Sequence, residues 1–164
     1  MNIPTEEDCI ALLKDNGTPD NIIEHCMAVS RYAVSLAKKL QAKEIPANAE
    51  LVRAAASLHD IEKLKPNHIG AGHDLLVKSG YPKVAEVMKK HGLENLSDKS
   101  FQPITIEEKI VFYADKRILG TQTVSLKDRF DYIRKKYNSK AIDAELMFSK
   151  KIGEEIASLI GEEP

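Results

Sequence analysis

The stretch ASLHDIEKLKP, residues 56 to 66, ends an alanine-rich apolar segment with a histidine and an aspartate side by side. Apolar residues precede the pair at helical spacing, so the sequence predicts a helix from near Asn48 to His59. Imidazole and carboxylate groups cost free energy when they are buried without a partner. The position of His59 and Asp60 at the end of a core helix therefore indicates that something holds them there.

Helix signals continue along the rest of the chain. Four predicted helices open at cap signals: Thr5, Thr18 with Pro19, Thr105 with Glu108, and Ser125. The helix after Pro19 is expected to run to about Leu40, and the last helix from about residue 141 to 160. Because no convincing alternating strand interrupts this pattern, the sequence predicts an all-α fold of seven or eight helices.

Proline and glycine predict the breaks between the helices. Pro66, Gly70 and Gly72 indicate a loop directly after the histidine and aspartate pair, and two short helices are expected between that loop and residue 92. The segment 92 to 104 is polar and contains a proline, so it is predicted to be the most flexible part of the chain.

The composition limits the class of protein. A chain of 164 residues is long enough for one domain with a core, so a single domain over residues 1 to 164 is expected. Hydrophobic residues make up 43% and charged residues 30%, which is typical of a soluble globular protein. The net charge of −1 provides no basic field for non-specific binding to nucleic acids or anionic membranes. Homo-oligomerisation is compatible with this composition.

The cysteines and the N-terminus predict a cytoplasmic protein. Cys9 and Cys26 are not spaced as a metal-binding or redox pair, and two cysteines are too few for a disulfide framework. The first residues, MNIPTEED, are polar and acidic, so no signal peptide is expected. No uninterrupted apolar run approaches the length of a membrane span.

Four ionisable side chains project from the apolar faces of predicted helices: His25, His59, His91 and Asp115. A single inward histidine is more often a hydrogen-bonded core residue than a metal ligand. Several inward imidazoles and carboxylates from separate helices can share one divalent cation, and this mixture of ligands suits Fe, Mn, Zn or Co. The sequence therefore predicts a metal that holds His59 and Asp60 at the helix end.

The order of these residues resembles that of a known family. His25, then His59 with Asp60, then Asp115 resembles the H…HD…D signature of the HD-domain superfamily of metal-dependent phosphohydrolases. The segments EHCMAVSRYAVSLAKKL, AAASLHDIEKLKP, HIGAGHDLLVKSGYPKVAEVMKKHG and EEKIVFYADKR occur in the family's order and spacing. The resemblance implies an all-helical HD-domain bundle with a core at about 20–130 and C-terminal helices at about 125–160.

The resemblance also implies a set of metal ligands. One divalent ion would be held by four residues: His25, His59, Asp60 and Asp115. His68 and His91 resemble the extra histidines of members with two ions, in which Asp60 would bridge both. Alternatively, His68 is solvated in the predicted loop and the site is mononuclear. His73 fits neither set and is expected near the surface. The metal would be Fe, Mn, Zn, Co, Ni or Mg.

The expected activity is hydrolysis of a phosphate ester or anhydride of a nucleotide or related small molecule. A bound metal lowers the pKa of water from about 15.7 towards 7, which supplies hydroxide at neutral pH. Asp60 is the candidate catalytic residue that orients this hydroxide and accepts its proton, and Lys63 is the candidate that contacts phosphate. Lys116 and Arg117 are further candidates for substrate binding, and all three cations are equally consistent with exposed helix faces.

Two other interpretations of the same residues stay open. The chain could be a regulatory or nucleotide-sensing HD module that binds a metal but turns over little substrate. It could also be a helical interaction domain in which the polar centre is structural. Glu62 stands where many relatives carry glycine, and it could contact a ligand histidine, repel phosphate or, most simply, be solvated.

Overall fold

The computed structural model describes all 164 residues and is almost entirely helical. Its helices are α1 (Glu6–Asp15), α2 (Asp20–Ala42), α3 (Ala49–Leu58), α4 (His68–Lys78), α5 (Pro82–Met88), α6 (Ile106–Arg117), α7 (Leu126–Lys136) and α8 (Ile142–Ile160). A short 3-10 helix, Lys99–Phe101, precedes α6, and the antiparallel strands β1 (Ile118–Leu119) and β2 (Gln122–Thr123) follow it. No helix is long and apolar enough to cross a membrane. The predicted all-α fold is confirmed.

Side-chain caps fix where several helices begin. Thr5 and Thr105 cap α1 and α6, as the sequence predicts, and each forms a complete capping box; the box was predicted only for Thr105. Asn48 and Ser125 accept hydrogen bonds from backbone N–H groups in the first turns of α3 and α7. These local interactions satisfy N–H groups that have no partner inside the helix.

The turn between α1 and α2 differs from the prediction at Thr18. Pro19 occupies the N-cap position of α2, and no side chain caps this helix. The Thr18 hydroxyl instead donates a hydrogen bond to the carbonyl oxygen of Ile61 at 3.1 Å, and the Asn16 amide donates to the same oxygen at 2.9 Å. The α1–α2 turn therefore holds the backbone immediately after His59 and Asp60.

The centre of the bundle is formed by α2, α3 and α6, which pack against one another. Three consecutive alanines of α3, Ala54 to Ala56, have no exposed surface. Their small side chains allow the neighbouring helices to approach α3 closely. The end of α3, with the histidine and aspartate that follow it, therefore lies deep in the fold.

The last two helices, α7 and α8, pack on each other and on α6. A small apolar cluster joins them: Phe130, Ile133 and Ile142. Phe148 of α8 also meets Phe112 of α6 edge-on, with the ring centroids 5.6 Å apart. Burial of these aromatic side chains fixes the C-terminal helices against the central bundle.

Two further features differ from what the sequence predicts. The loop expected after Pro66 is helical from His68 onward, because Gly70 and Gly72 lie inside α4. Gly72 packs closely there, since a Cβ atom would lie 2.9 Å from Cε of Met88 and the flexible Met88 side chain would have to shift. The β1–β2 hairpin was not expected, because strands of two residues are too short to show alternation; its turn uses Gly120 at φ +61°. The predicted flexibility of residues 92–104 stays a prediction.

Gly153 gives a test of the contact between α8 and α6. A Cβ atom at this position would lie 2.6 Å from Cε2 of the buried Tyr113 ring. Replacing Gly153 by alanine should lower the free energy of unfolding by about 1–2 kcal/mol, because the strain exceeds the gain in helix propensity. Calorimetry of Gly153→Ala beside Glu154→Ala, an exposed neighbour on the same helix, measures the effect. Equal or greater stability of Gly153→Ala would contradict this close packing.

Candidate metal centre

His59 and Asp60 lie at the deepest point of the candidate site. His59 is the C-cap residue of α3, and Asp60 follows it at the start of a turn. Their exposed fractions are 1% and 4%. Nε2 of His59 lies 3.5 Å from Oδ2 of Asp60. Ionisable groups buried to this extent need partners of opposite charge or a cation.

Side chains from α2 and α6 complete a first group of donor atoms. Nε2 of His25 lies 3.2 Å from Oδ1 of Asp115, and Nε2 of His59 lies 3.5 Å from the same oxygen. One donor atom from each of these three residues lies within 4.8 Å of the others. This spacing allows all three to bind one metal ion.

A second group of donor atoms surrounds Oδ1 of Asp60. Nε2 of His91 lies 3.6 Å from this oxygen, and Nε2 of His68 lies 3.7 Å from it. His59, Asp60 and His91 also have donor atoms within 4.8 Å of one another. Because His59 belongs to both groups and Asp60 faces both sets of imidazoles, the two groups form one continuous cluster.

Backbone carbonyl groups fix the orientation of three of the imidazoles. Nδ1 of His59 donates a hydrogen bond to the Ala56 carbonyl at 2.7 Å, and Nδ1 of His91 donates to the Met88 carbonyl at 2.6 Å. Nδ1 of His25 donates to the carbonyl of Gly120, in the unexpected hairpin, at 2.8 Å. Carbonyl oxygens only accept hydrogen bonds, so Nδ1 carries the proton and Nε2 of each ring is directed to the cluster.

The hydrogen bonding of one buried atom indicates whether these residues fit a metal. Nε2 of His59 has no hydrogen-bond partner in the protein. An unsatisfied buried nitrogen costs free energy unless a ligand satisfies it. Imidazole nitrogens with carboxylate oxygens match the ligand preference of Fe, Mn, Zn and Co. The residues that would hold the metal are His25, His59, Asp60, His68, His91 and Asp115.

The carboxyl groups of the cluster are held in the charged form. Burial alone would raise the pKa of Asp60. The combined effect of His59, His91 and Lys63 is larger and opposite, so this pKa lies well below its usual range. Burial likewise raises the pKa of Asp115, but the Lys116 ammonium together with the imidazoles of His25 and His59 brings it well below its usual value. Burial lowers the pKa of His59, but the Asp60 carboxylate together with Cys26 and Asp115 raises it well above its usual value. The local field therefore favours a positive charge, a proton or a metal ion, at His59.

Two lysines lie beside the cluster. Nζ of Lys63 is 3.0 Å from Oδ2 of Asp60, and its side chain is partly exposed. Lys116 is not on an exposed helix face as one interpretation held, because its ammonium donates to the His91 carbonyl at 2.8 Å and to the Asp115 carboxylate. Both lysines line the cavity next to the cluster.

Arg117 is not among the residues that line this cavity, and its predicted contact with substrate stays a prediction. Its guanidinium donates hydrogen bonds to the Tyr113 hydroxyl at 2.7 Å and to the carbonyl oxygens of Val124 at 2.8 Å and Pro164 at 2.9 Å. These contacts bind α6 to the segment before α7 and to the C-terminus. Lys116 lines the cavity beside the cluster, whereas Arg117 does not.

Glu62 and His73 take no part in the cluster. Glu62 is buried and not solvated as expected; its carboxylate accepts a hydrogen bond from Lys65 at 2.9 Å. His73 is partly exposed, as expected, and its imidazole contacts Glu86 at 2.9 Å and the neighbouring Asp74.

A cavity of about 640 Å³ opens onto the cluster, and part of its lining was missed by sequence analysis. Residues of the two C-terminal helices and their connection face it: Arg129, Tyr132, Ile133, Lys136, Tyr137, Ser139 and Glu145. A signal existed, because Arg129, Tyr132 and Lys136 recur at intervals of three and four residues along one side of α7. That side borders the apolar stripe by which the helix itself was predicted.

A comparison with protein families agrees with this geometry. The sequence model described as "HD domain" matches residues 22–118, more than half of the chain. This span contains the whole His and Asp cluster. The chain therefore belongs to the HD-domain family, as its sequence resemblance predicts, and this membership points to the chemistry of metal-dependent phosphohydrolases.

Individual relatives are similar over most of this chain. A tRNA (cytidine(56)-2'-O)-methyltransferase of Picrophilus torridus is 32% identical and aligns with 97% of the chain but 48% of its own length. One of Thermoplasma volcanium is 34% identical over 82% of the chain and 42% of its own length. An uncharacterized protein of Methanocaldococcus jannaschii is 36% identical over 74% of the chain and 80% of its own length.

The chain thus spans about half the length of the two named methyltransferases. No solved structure shows significant similarity to it.

The number of metal ions is the sharpest prediction from this arrangement. If His68 and His91 hold a second ion, replacing both by alanine should reduce the metal content from about two ions per chain to about one. The remaining ligands of the first ion are untouched, so that ion should stay. Metal analysis after loading with Mn²⁺ and desalting measures the change, with His73→Ala as the matched histidine control.

A wild-type protein that never retains more than one ion would contradict the two-ion arrangement. So would a double variant that retains as much metal as the wild type.

Proposed function

We propose that this chain is a metal-dependent phosphohydrolase that cleaves a phosphate ester or anhydride of a nucleotide or a nucleotide-related molecule. One observation carries the proposal: three imidazoles, each fixed by a backbone carbonyl, direct Nε2 towards two buried carboxylates beside an open cavity. The buried Nε2 of His59, which lacks a protein partner, supports a cation at this point. The composition favours a cytoplasmic location for this activity.

The overall reaction defines what the site must do. Water forms a new bond to phosphorus, the bond from phosphorus to the leaving oxygen breaks, and protons from the water end on the products or in solvent. A divalent ion in the cluster would activate the water and stabilise the charge on the phosphoryl oxygens. The protein must hold the ion, orient the water and bind the phosphate.

Asp60 is the residue that we assign to orientation of the attacking water. Its carboxylate is central in the cluster, within 3.7 Å of the imidazoles of His59, His68 and His91. Its low pKa keeps it ionised, so Asp60 can accept a hydrogen bond from the water at neutral pH. The same low pKa favours passage of the proton to solvent in the cavity over its retention on the carboxylate.

Lys63 and Lys116 are assigned to the phosphate. Lys63 is partly exposed to the cavity, and burial lowers its pKa less than the Asp60 and Asp115 carboxylates raise it, so the ammonium stays charged. It can leave Asp60 to contact a phosphoryl oxygen. Lys116 is buried and bonded to Asp115, so its fixed charge contributes to the field without leaving its place.

The two methyltransferases suggest the kind of substrate on which this activity acts. Both methyltransferases extend well beyond the match, so we attribute their methyl transfer to the other half of their length. A hydrolase that accompanies an enzyme of tRNA would act on a nucleotide, free or within RNA. The same relationship favours a second candidate, in which the HD domain binds a nucleotide and regulates its neighbour with little turnover.

Substitution of Asp60 separates chemistry from structure. Asp60→Ala should reduce phosphate release by about a hundredfold or more, because an ion ligand and the group that orients water are both lost. Its helical circular-dichroism signal should remain, since the side chain serves the ion and not apolar packing. The assay uses protein purified anaerobically, a panel of nucleotides, and added Mn²⁺ or Fe²⁺.

Asp74→Asn, which alters an exposed carboxylate of α4, is the matched control and should keep wild-type turnover. Wild-type turnover by Asp60→Ala would exclude the role of Asp60. Metal retention without turnover of any phosphoester by the wild type would favour the regulatory candidate.

A further inference from the structure

One side of α7 lines the cavity with cations and aromatic rings. Arg129, Tyr132 and Lys136 lie on this side, and Tyr137 follows directly after the helix. We call these four residues the α7 wall. They lie outside residues 22–118, which match the HD family, whereas the metal cluster lies inside them. The α7 wall is therefore a property of this chain's C-terminal part and not of the shared metal-binding core.

The cations of the α7 wall differ from two cations on the outer side of the same helix. On the outer side, Lys127 lies 2.7 Å from Asp131, and Arg134 lies 3.3 Å from Asp131 and 2.6 Å from Asp143. Arg129 and Lys136 have no carboxylate within ion-pair distance. Lys135, an exposed cation of the same helix, is likewise unpaired, but it does not line the cavity. The unpaired charges of Arg129 and Lys136 do face the cavity and are available there for an anionic ligand.

Arg129 gives the most specific sign of such a ligand. Its Nε atom is buried and has no hydrogen-bond partner. An unsatisfied guanidinium nitrogen costs free energy, and a phosphate oxygen would satisfy it with a charge-assisted hydrogen bond. Carbon Cζ of Arg129 lies 5.8 Å from the centroid of the Tyr132 ring, which holds the guanidinium at the wall.

The tyrosines of the α7 wall expose aromatic surface to the cavity. Tyr132 is 39% exposed and Tyr137 is 53% exposed, although both side chains carry large apolar rings. Nζ of Lys136 lies 5.6 Å from the Tyr132 centroid and 5.4 Å from the Tyr137 centroid. Exposed rings beside cations are the combination that binds a nucleobase by stacking while a phosphate is held nearby.

We propose that the α7 wall makes this site selective for a nucleotide that carries a second phosphate besides the one cleaved. The base stacks on Tyr132 or Tyr137, the second phosphate binds Arg129 and Lys136, and the scissile phosphate faces the metal cluster. A cavity of about 640 Å³ is within the range of about 300–1,000 Å³ that holds ligands of this size. This inference rests on the proposed function, whose substrate class it defines.

Binding measurements test the α7 wall without dependence on turnover. The probe is α,β-methylene-ADP, whose diphosphate linkage resists hydrolysis, with adenosine and methylenediphosphonate as the separate halves. The metal-loaded wild type should bind the whole probe at least about tenfold more tightly than either half, because base and phosphate contacts act together. Isothermal titration calorimetry gives the dissociation constants.

Substitutions then assign the contacts. Arg129→Gln should weaken binding of the probe by about ten- to a hundredfold, through loss of a charge-assisted hydrogen bond. Tyr132→Ala should weaken it by about tenfold, whereas Tyr132→Phe, which keeps the ring, should bind as the wild type does. Lys127→Gln and Arg134→Gln remove equal charge from the outer side of α7 and are the matched controls; neither should change binding.

A short oligoribonucleotide that ends in a phosphate tests whether the bound nucleotide is free or part of an RNA chain. Tighter binding of either the oligonucleotide or the free probe supports the proposal if Arg129→Gln weakens that binding and Lys127→Gln does not. Equal binding of the probe by wild type and Arg129→Gln overturns it, as does equal binding of the probe and methylenediphosphonate, or no binding of probe and oligonucleotide.

These outcomes are separate from the test of the proposed function. Binding through the α7 wall without hydrolysis of any phosphoester would leave the nucleotide site standing and remove the hydrolase. If Arg129→Gln and Tyr132→Ala hydrolyse nucleotides with the kcat/KM of the wild type, the hydrolase would stand and the nucleotide site at the α7 wall would be removed.

Discussion

The burial of charged carboxylates among imidazoles at the end of α3 is the constraint on which the rest of this structure depends. Asp60 and Asp115 are almost completely buried, and both stay ionised because cations and imidazoles surround them. Such an arrangement is costly unless the charges and hydrogen bonds are well matched. A divalent cation held by these carboxylates and imidazoles would supply this match, which is why we regard the cluster as a candidate metal centre and not as part of the core.

The surrounding fold serves this cluster in specific ways. The alanines of α3 let α2 and α6 approach closely enough for His25 and Asp115 to reach His59. Carbonyl groups at the ends of α3 and α5 and in the β1–β2 hairpin hold the imidazoles in one orientation. Ligand orientation therefore depends on ordinary backbone geometry at the helix ends and in the hairpin.

The sequence predicts the parts of this fold and site that depend on local pattern. Thr5 and Thr105 mark helix starts because caps act within one turn, and His25 and Asp115 could be identified because helical periodicity shows which residues face inward. Arg129 and Tyr132 were missed, since only tertiary packing decides that this side of α7 faces the cavity. The position of Lys116 could not be decided from the sequence for the same reason. The His91 carbonyl to which its ammonium donates lies outside α6, and only tertiary packing brings the two together.

The claim that the cluster binds a metal is tested most directly by anomalous X-ray diffraction. Crystals of protein purified without chelators and loaded with Mn²⁺ or Fe²⁺ would be measured on both sides of the metal absorption edge. We expect an anomalous peak among Nε2 of His25, Nε2 of His59 and the carboxylates of Asp60 and Asp115. No peak at this position in metal-loaded crystals, or a peak only at the protein surface, would contradict it.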